Sequence, residues 1–193
     1  MDKFDLSGRT ALITGASGLL GFEHSIALLE KDADIILTDI DAAKIDKVEL
    51  ALKDLFPEKR IISFNMDVTN KEQIIDVKNS LLQEGTDLDI LINNAALDPK
   101  VNQKENLDEM SRLENFSLEQ WELEVSVGLT GAFLCSQVFG TQMARSKKKG
   151  VILNIASDLS VISPDQRLYR KEDCPEDKQP VKPVTYSVIK SGI

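Results

Sequence analysis

Residues 10–21, TALITGASGLLG, set the terms on which the rest of the chain is read. Thr10 to Thr14 is a short apolar run of the kind that forms a buried strand. Gly15, Gly18 and Gly21 follow it, and LGFEHSIALLEK (20–31) then repeats its apolar residues at helical spacing. Glycines at such a strand end allow a tight turn, let the backbone approach a pyrophosphate, and let the helix pack closely on the strand. The first turn of the helix then offers unpaired N–H groups to the phosphates. A glycine triad alone is a weak signal. Here it stands between a strand and a helix, and the second strand ends at Asp39, 24 residues after Gly15. A carboxylate at that place accepts hydrogen bonds from the adenosine ribose hydroxyls and repels the extra phosphate of NADP. Neither Ser17 nor Ile40 brings a compensating positive charge, so the reading is NAD. The alternative, that Asp39 merely begins a loop, stays open.

Four more segments continue the rhythm: DIILTD (34–39), RIISFNM (60–66), LDILINN (88–94) and VILNIAS (151–157). Each is nearly continuous in apolar residues, as expected of strands buried on both faces. Thr69 with Glu72, and Ser117 with Gln120, read as capping boxes that open two further helices. Strand alternating with helix predicts an α/β fold, a Rossmann-type doubly wound parallel sheet with helices on both faces, formed by residues 1–193 as a single domain. Two polar stretches, 97–115 and 158–184, follow carboxyl ends of strands, the edge where open α/β sheets bind ligands. They read as substrate loops or as solvated decoration.

The composition narrows the function. A chain of 193 residues with 42% hydrophobic content supports one well-buried core. A net charge of -9 offers no basic surface for a polyanion, so neither nucleic acid nor an anionic membrane is an expected partner. No apolar run approaches the roughly 18 residues of a membrane span. MDKFDLSGRT lacks the apolar core of a signal peptide, so a cytoplasmic location is expected. Cys135 and Cys174 form no C-x-x-C spacing, and Cys135 within GAFLCSQVF reads as a core thiol. One histidine, His24, and no clustered cysteines predict no metal site.

The segment PVTYSVIKSGI (183–193) places Tyr186 and Lys190 four residues apart, on one face of a helix. Tyr169 has Asp173 four residues on and is no rival pair. A phenol ordinarily titrates near pH 10, so acid/base work near neutrality needs about 4 kcal/mol of phenolate stabilisation. An ammonium about 4 Å away at an effective dielectric near 20 supplies about that much.

TGASGLLG (14–21), Asp39, NMDV (65–68), NNAA (93–96), Ser157 in NIAS and YSVIK (186–190) occur in this order along the chain. Together they resemble the short-chain dehydrogenase/reductase family, in its compact NAD-dependent branch. The resemblance implies that Gly15, Ser17, Gly18, Leu20, Gly21, Asp39, Ile40, Asp67, Val68, Asn94 and Ala95 line the cofactor, with Tyr186 and Lys190 at its nicotinamide end. It assigns Asp67 to the adenine amino group and Val68 to the ring beside it. Ser157, Tyr186 and Lys190 become the catalytic residues: Tyr186 as acid/base, Lys190 as the cation beside it, and Ser157 as the hydrogen-bond donor to the substrate oxygen. Asn93 and Asn94 could equally brace the strand end. A small-molecule substrate and a homo-oligomer are implied as well.

Three features depart from that pattern. The glycine spacing is that of the epimerase and dehydratase branch, with Leu19 where compact members carry glycine. Gly128 stands where many members have an asparagine that holds a relay water. The gap from Ser157 to Tyr186 is long, and its Arg167, Arg170, Lys171, Lys178 and Lys182 suit a phosphorylated or nucleotide-linked sugar, or a solvated loop of balanced charge. That insertion with PVKPVTYSVIKSG is also similar to dehydrogenases of flagellin-modification and nonulosonic-acid pathways, which points to sugar metabolism. The resulting expectation is an NAD-dependent oxidoreductase acting on a hydroxyl or ketone of a polar, sugar-derived substrate. The alternatives are an epimerase or dehydratase, or a non-catalytic NAD-binding domain. The family continues past its Tyr–Lys helix with another strand, a substrate loop and a final strand, so the fold is expected to be C-terminally truncated.

Overall fold

A computed structural model describes residues 3–97, 111–146, 148–172 and 174–193. The chain divides into two compact units, one of residues 1–95 with 131–155 and the other of residues 96–130 with 156–193.

The first unit is built on five parallel strands: β1 (Thr10–Thr14), β2 (Asp34–Asp39), β3 (Ile61–Asn65), β4 (Ile90–Asn93) and β5 (Val151–Asn154). Their order is β3-β2-β1-β4-β5, with Leu12 of β1 in register with Ile36 on one side and Leu91 on the other. All five residues of β1 are buried, as a central strand covered on both faces requires. After β3 the chain returns to the other side of β1, so the connections from β1 and β4 diverge there and leave a crevice at their carboxyl ends.

Three helices follow the first three strands: α1 (Leu19–Leu29), α2 (Ala42–Leu55) and α3 (Lys71–Gln83). Ile45 and Leu52 of α2 and Leu29 of α1 close the core with Ala11, Ile13, Ile35 and Leu37. Asp89, 1% exposed, fastens the opposite end of the sheet, accepting from Arg9 Nη1 at 3.0 Å and Thr10 N at 3.1 Å.

β1 and β2 span the expected residues, and β3, β4 and β5 fall within the expected runs, whose flanking residues Arg60, Met66, Asp89 and Ile155 still hydrogen-bond to neighbouring strands. The capping of α3 differs from expectation. Asn70, not Thr69, is the cap, accepting from Glu72 N and Gln73 N, because Thr69 donates its own hydroxyl to Asp67 Oδ1 at 2.7 Å. β5 also differs: Val151, Ile152 and Leu153 are exposed, whereas the strand at the other end of the order, β3, is buried or half-buried over Ile61–Phe64.

In the second unit, α4 (Leu118–Val125) is capped by Ser117, whose Oγ accepts from Gln120 N at 3.1 Å, and is followed by a π-helical turn, Ser126–Thr130. The chain then re-enters the first unit as α5 (Gly131–Arg145), while α6 (Val184–Gly192) belongs to the second. The expectation of no membrane-length run meets a difference here. Among the described residues one helical stretch, Leu118–Arg145, is long and apolar enough to cross a membrane by length and composition, with mean hydropathy 1.3. Its glycines, serines and glutamines conceal it from a search for unbroken apolar runs. The stripe Gly131, Cys135, Phe139 and Met143 is buried at a spacing of four, and α5 packs on α3 and β4, the behaviour of a sheet-covering helix. Burial pushes the Cys135 thiol up to about 12, in keeping with a core thiol.

Candidate active site

The glycine turn of the first unit is fixed by contacts that only glycine permits. Gly15 has φ +63°, and a Cβ there would stand 2.8 Å from Ala95 Cα. A Cβ on Gly21 would meet Gly15 O at 2.5 Å, so this glycine lets α1 lie directly on the turn. Gly18 caps α1 without a side-chain acceptor, and the first turn of α1 carries no acidic residue. Its N–H groups are therefore available to an anion, whereas those of α2 and α3 are capped by Asp41 and Asn70. Leu20, in the first turn of α1, is exposed beside this terminus.

The carboxylate of Asp39 braces the same turn. Its Oδ2 accepts from Ser17 N at 3.0 Å and its Oδ1 from Asp41 N at 3.1 Å. A carboxylate has about four acceptor positions, so two remain for hydroxyl donors. Ile40 beside it is exposed, with its carbonyl taken by Asn65 Nδ2 at 2.8 Å. From the other side, Asn94 Nδ2 donates to the carbonyls of Thr14 and Gly15 at 2.9 and 3.0 Å. Thr14 Oγ1 accepts from both Asn94 N and Ala95 N at 3.0 Å. Thr14 is thus a hub that the sequence reading passed over; its place immediately before the glycine turn was the available signal. Asn93, 3% exposed, bonds Ser136 Oγ at 2.9 Å and Asn154 Oδ1 at 2.8 Å, so both asparagines do brace strand ends.

Asp67 and Val68 follow β3. Asp67 is engaged locally, accepting from Thr69 N at 2.8 Å, while its own N–H donates to Gln73 Oε1 at 2.8 Å. Val68 is buried, and a Cβ on Gly131 would approach its Cγ2 to 2.7 Å.

The second unit holds Ser157, Tyr186 and Lys190. Ser157 caps a short 3-10 turn, Asp158–Ser160, and its Oγ donates to Asp158 Oδ1 at 2.9 Å. That turn packs on α6, and Ser191 Oγ bonds Ser160 O at 2.7 Å, which brings the Ser157 turn to the helix of Tyr186 and Lys190. Tyr186 is half-buried. Lys190 is 8% exposed, with Nζ 5.9 Å from the Tyr186 ring centroid. Burial, and secondarily the charge of Lys182, hold the Lys190 ammonium below the usual lysine range.

Gly128 lies buried in the π turn, and a Cβ there would stand 2.7 Å from Ile189 Cγ2 of α6. Ile189 therefore fills the space that a larger residue at 128 would need. Next to it, the Thr185 hydroxyl donates to the buried Glu124 carboxylate.

The insertion 158–184 folds into 3-10 turns at Asp158–Ser160, Gln166–Tyr169 and Glu176–Lys178. Arg167 pairs with Asp165 at 2.7 Å and Arg170 pairs with Glu176, so these two basic groups of the insertion are engaged by neighbouring acids. Positions 98–110 of the other polar stretch lie outside the described residues. A cavity of about 760 Å³ opens on a further side of α6, reached by Ser187, Val188 and Ser191, and its lining includes none of the three catalytic candidates. Among the described residues no group of three or more histidine, cysteine or acidic side chains could hold a metal ion.

The family model for short chain dehydrogenases matches residues 9–169. The chain is 33% identical over 160 residues to the 2-dehydro-3-deoxy-D-gluconate 5-dehydrogenase of Bacillus subtilis (strain 168), covering 82% of this chain and 57% of that one. It is 29% identical over 165 residues to the NAD-dependent glycerol dehydrogenase of Listeria innocua, covering 86% and 59%. Its fold matches the crystal structure of a gluconate 5-dehydrogenase from Burkholderia cenocepacia J2315 in complex with NADP and tartrate, with TM-score 0.76, 24% identity, and coverage of 99% of this chain and 64% of that one. The chain thus spans little more than half the length of the curated relatives it matches.

Proposed function

Because the chain belongs to the short-chain dehydrogenase family, we propose that it is an NAD-dependent oxidoreductase of the compact type. Its reaction moves a hydride between the nicotinamide and a hydroxyl or ketone of a polar, sugar-derived molecule. The observation that carries this reading is α6, which sets Tyr186 on the same helix as a buried ammonium, Lys190, against the turn of Ser157. Residues 1–193 act in this reading as one dehydrogenase domain, cytoplasmic and working as a homo-oligomer.

The glycine turn, the uncapped start of α1 and the Asp39 carboxylate fit a dinucleotide: backbone N–H groups for the pyrophosphate, and free acceptor positions for the ribose hydroxyls. NAD, when bound, supplies the hydride acceptor. Asp39 disfavours a 2′-phosphate by its charge. Asp67, Val68, Asn94 and Ala95 line the adenine and central parts of the cofactor. Tyr186 takes the proton from the substrate hydroxyl in the oxidative direction and returns it in the reductive one. Lys190 stabilises the phenolate formed and binds the nicotinamide ribose. Ser157, by turning its hydroxyl from Asp158 Oδ1 to the substrate, donates a hydrogen bond to the substrate oxygen as its charge changes.

The sugar-derived substrate is supported by the activities of two relatives, a dehydrogenase of 2-dehydro-3-deoxy-D-gluconate and one of glycerol. The pairing of Arg167 and Arg170 with acids favours an unphosphorylated polyol or sugar acid, and nonulosonic-type sugars belong in the same panel. The test is calorimetric titration with NAD and NADP, then NADH formation across polyols and aldonates. Tyr186→Phe is expected to lower turnover at least about 100-fold with NAD affinity kept within a few-fold. Full activity in that variant would remove the acid/base assignment, and NAD binding with no turnover on any substrate would support a non-catalytic nucleotide-binding chain.

A further inference from the structure

Residues 179–182 form a strap held at several points within the second unit. The side chain of Gln179, a residue 8% exposed, donates from Nε2 to the carbonyls of Lys171 at 2.9 Å and Cys174 at 2.5 Å, and accepts from Lys171 N at 2.8 Å. Val181 N donates to Ser111 Oγ at 3.1 Å and Lys182 N to Gln166 Oε1 at 2.9 Å. Pro180 and Pro183 fix φ on either side. The strap ends at α6 with Lys182 Nζ 3.8 Å from the centroid of the Tyr186 ring, nearer than Lys190 at 5.9 Å. A cation within about 6 Å of a ring face is attracted to it, more strongly as water is excluded. Arg167 and Arg170 pair with acids of the insertion, and Lys182 reaches the tyrosine ring.

Resting on the reading of Tyr186 as the acid/base, we propose that Lys182 is a positioning residue. Its ammonium, seated on the ring, fixes the orientation of the phenol and completes a row of two cations about Tyr186, one four residues before it and one four after. The long insertion then has a local task, which is to hold this lysine in place.

The row also couples the two lysines. The elements packed on α6 carry Asp158 in the 3-10 turn and Glu119, Glu122 and Glu124 in α4, with no titratable group in Ser126–Thr130. The charge of Lys182 acts against the Lys190 ammonium in the same direction as burial. Removing Lys182 therefore lets Lys190 stay protonated to higher pH, and the alkaline limb of the activity profile moves upward.

The experiment compares Lys182→Met and Lys182→Arg with the parent chain, using NAD and the best substrate of the panel. Lys182→Met is expected to lower kcat about 5- to 20-fold with the NAD KM within about 2-fold, and to shift the alkaline limb to higher pH. Lys182→Arg, whose planar guanidinium stacks on a ring, is expected to recover activity to within about 3-fold. A second measurement needs no turnover. In Tyr169→Phe, Tyr186 is the remaining tyrosine, and NMR of the lysine-labelled chain should show Lys182 side-chain protons moved upfield by the ring, an effect lost in Tyr186→Leu. No ring shift on Lys182, an arginine variant no better than methionine, or an unmoved limb each overturns the proposal. A ring shift in a parent chain that turns nothing over would overturn the dehydrogenase reading and leave the stacked geometry standing.

Discussion

Asp39 does two things with one carboxylate. It holds Ser17 N and Asp41 N, which rigidifies the glycine turn, and it presents its remaining acceptor positions to solvent. In the NAD-dependent reading proposed above, discrimination against a 2′-phosphate and stiffness of the glycine turn would rest on the same atoms. Asp39→Ala is expected to narrow the NAD-over-NADP affinity ratio by about tenfold or more, and also to lower the denaturant midpoint by an amount equivalent to about 1–2 kcal/mol. Paired calorimetric and urea titrations check both, and an unchanged cofactor ratio would remove Asp39 from the specificity argument. Exchange of cofactor preference at this position consequently requires a replacement that still accepts from Ser17 N.

Helix α6 is set by its neighbours as much as by its own sequence. Gly128 in the π turn and Ile189 on α6 share one space, with 2.7 Å between a built Cβ and Ile189 Cγ2. Gly128→Ala is expected to be destabilising by about 1–3 kcal/mol, and Ile189→Ala, which removes Cγ2, to relieve part of that in the double variant. A double-mutant cycle that is additive would show that the two do not touch. Lys190 on the same helix is held below the usual lysine range mainly by burial. In the window between its lowered folded value and the ordinary 10.5, the unfolded chain binds more protons than the folded one, so stability contributed by this group rises with pH there. Urea midpoints measured across that window should climb in the parent chain and flatten in Lys190→Met.

The elements themselves were largely legible. The β1 turn, Asp39 and the Ser117 cap follow from spacing and local chemistry, because each depends on residues close in the chain. Thr14 as a hub, Asn70 displacing Thr69 as a cap, Ile189 filling the space over Gly128 and Lys182 seated on Tyr186 were not legible. Each depends on which of several competent side chains tertiary packing brings near, and spacing is silent on that. The exposed apolar face of β5 belongs to the same class, since the run VILN reads identically in a central and an edge strand.

At the scale of the whole chain, the division into two compact units cuts across the sequence three times, at 95/96, 130/131 and 155/156, the second cut falling within the helical stretch 118–145. The aromatic residues do not divide evenly. Trp121, Tyr169 and Tyr186 all belong to the unit of residues 96–130 and 156–193, whereas the unit carrying the sheet contains phenylalanine as its aromatic residue. The two units are thus optically distinct without any label. Tryptophan fluorescence reports the loss of the unit that bears Tyr186 and Lys190, while far-ultraviolet dichroism at strand-sensitive wavelengths is weighted toward the sheet. Coincident melting curves would mean one cooperative transition. We expect instead that saturating NAD raises the dichroism midpoint more than the fluorescence midpoint, because the glycine turn and Asp39 lie in the unit that fluorescence does not see. A single spectrometer could then tell which half of this chain a ligand has chosen.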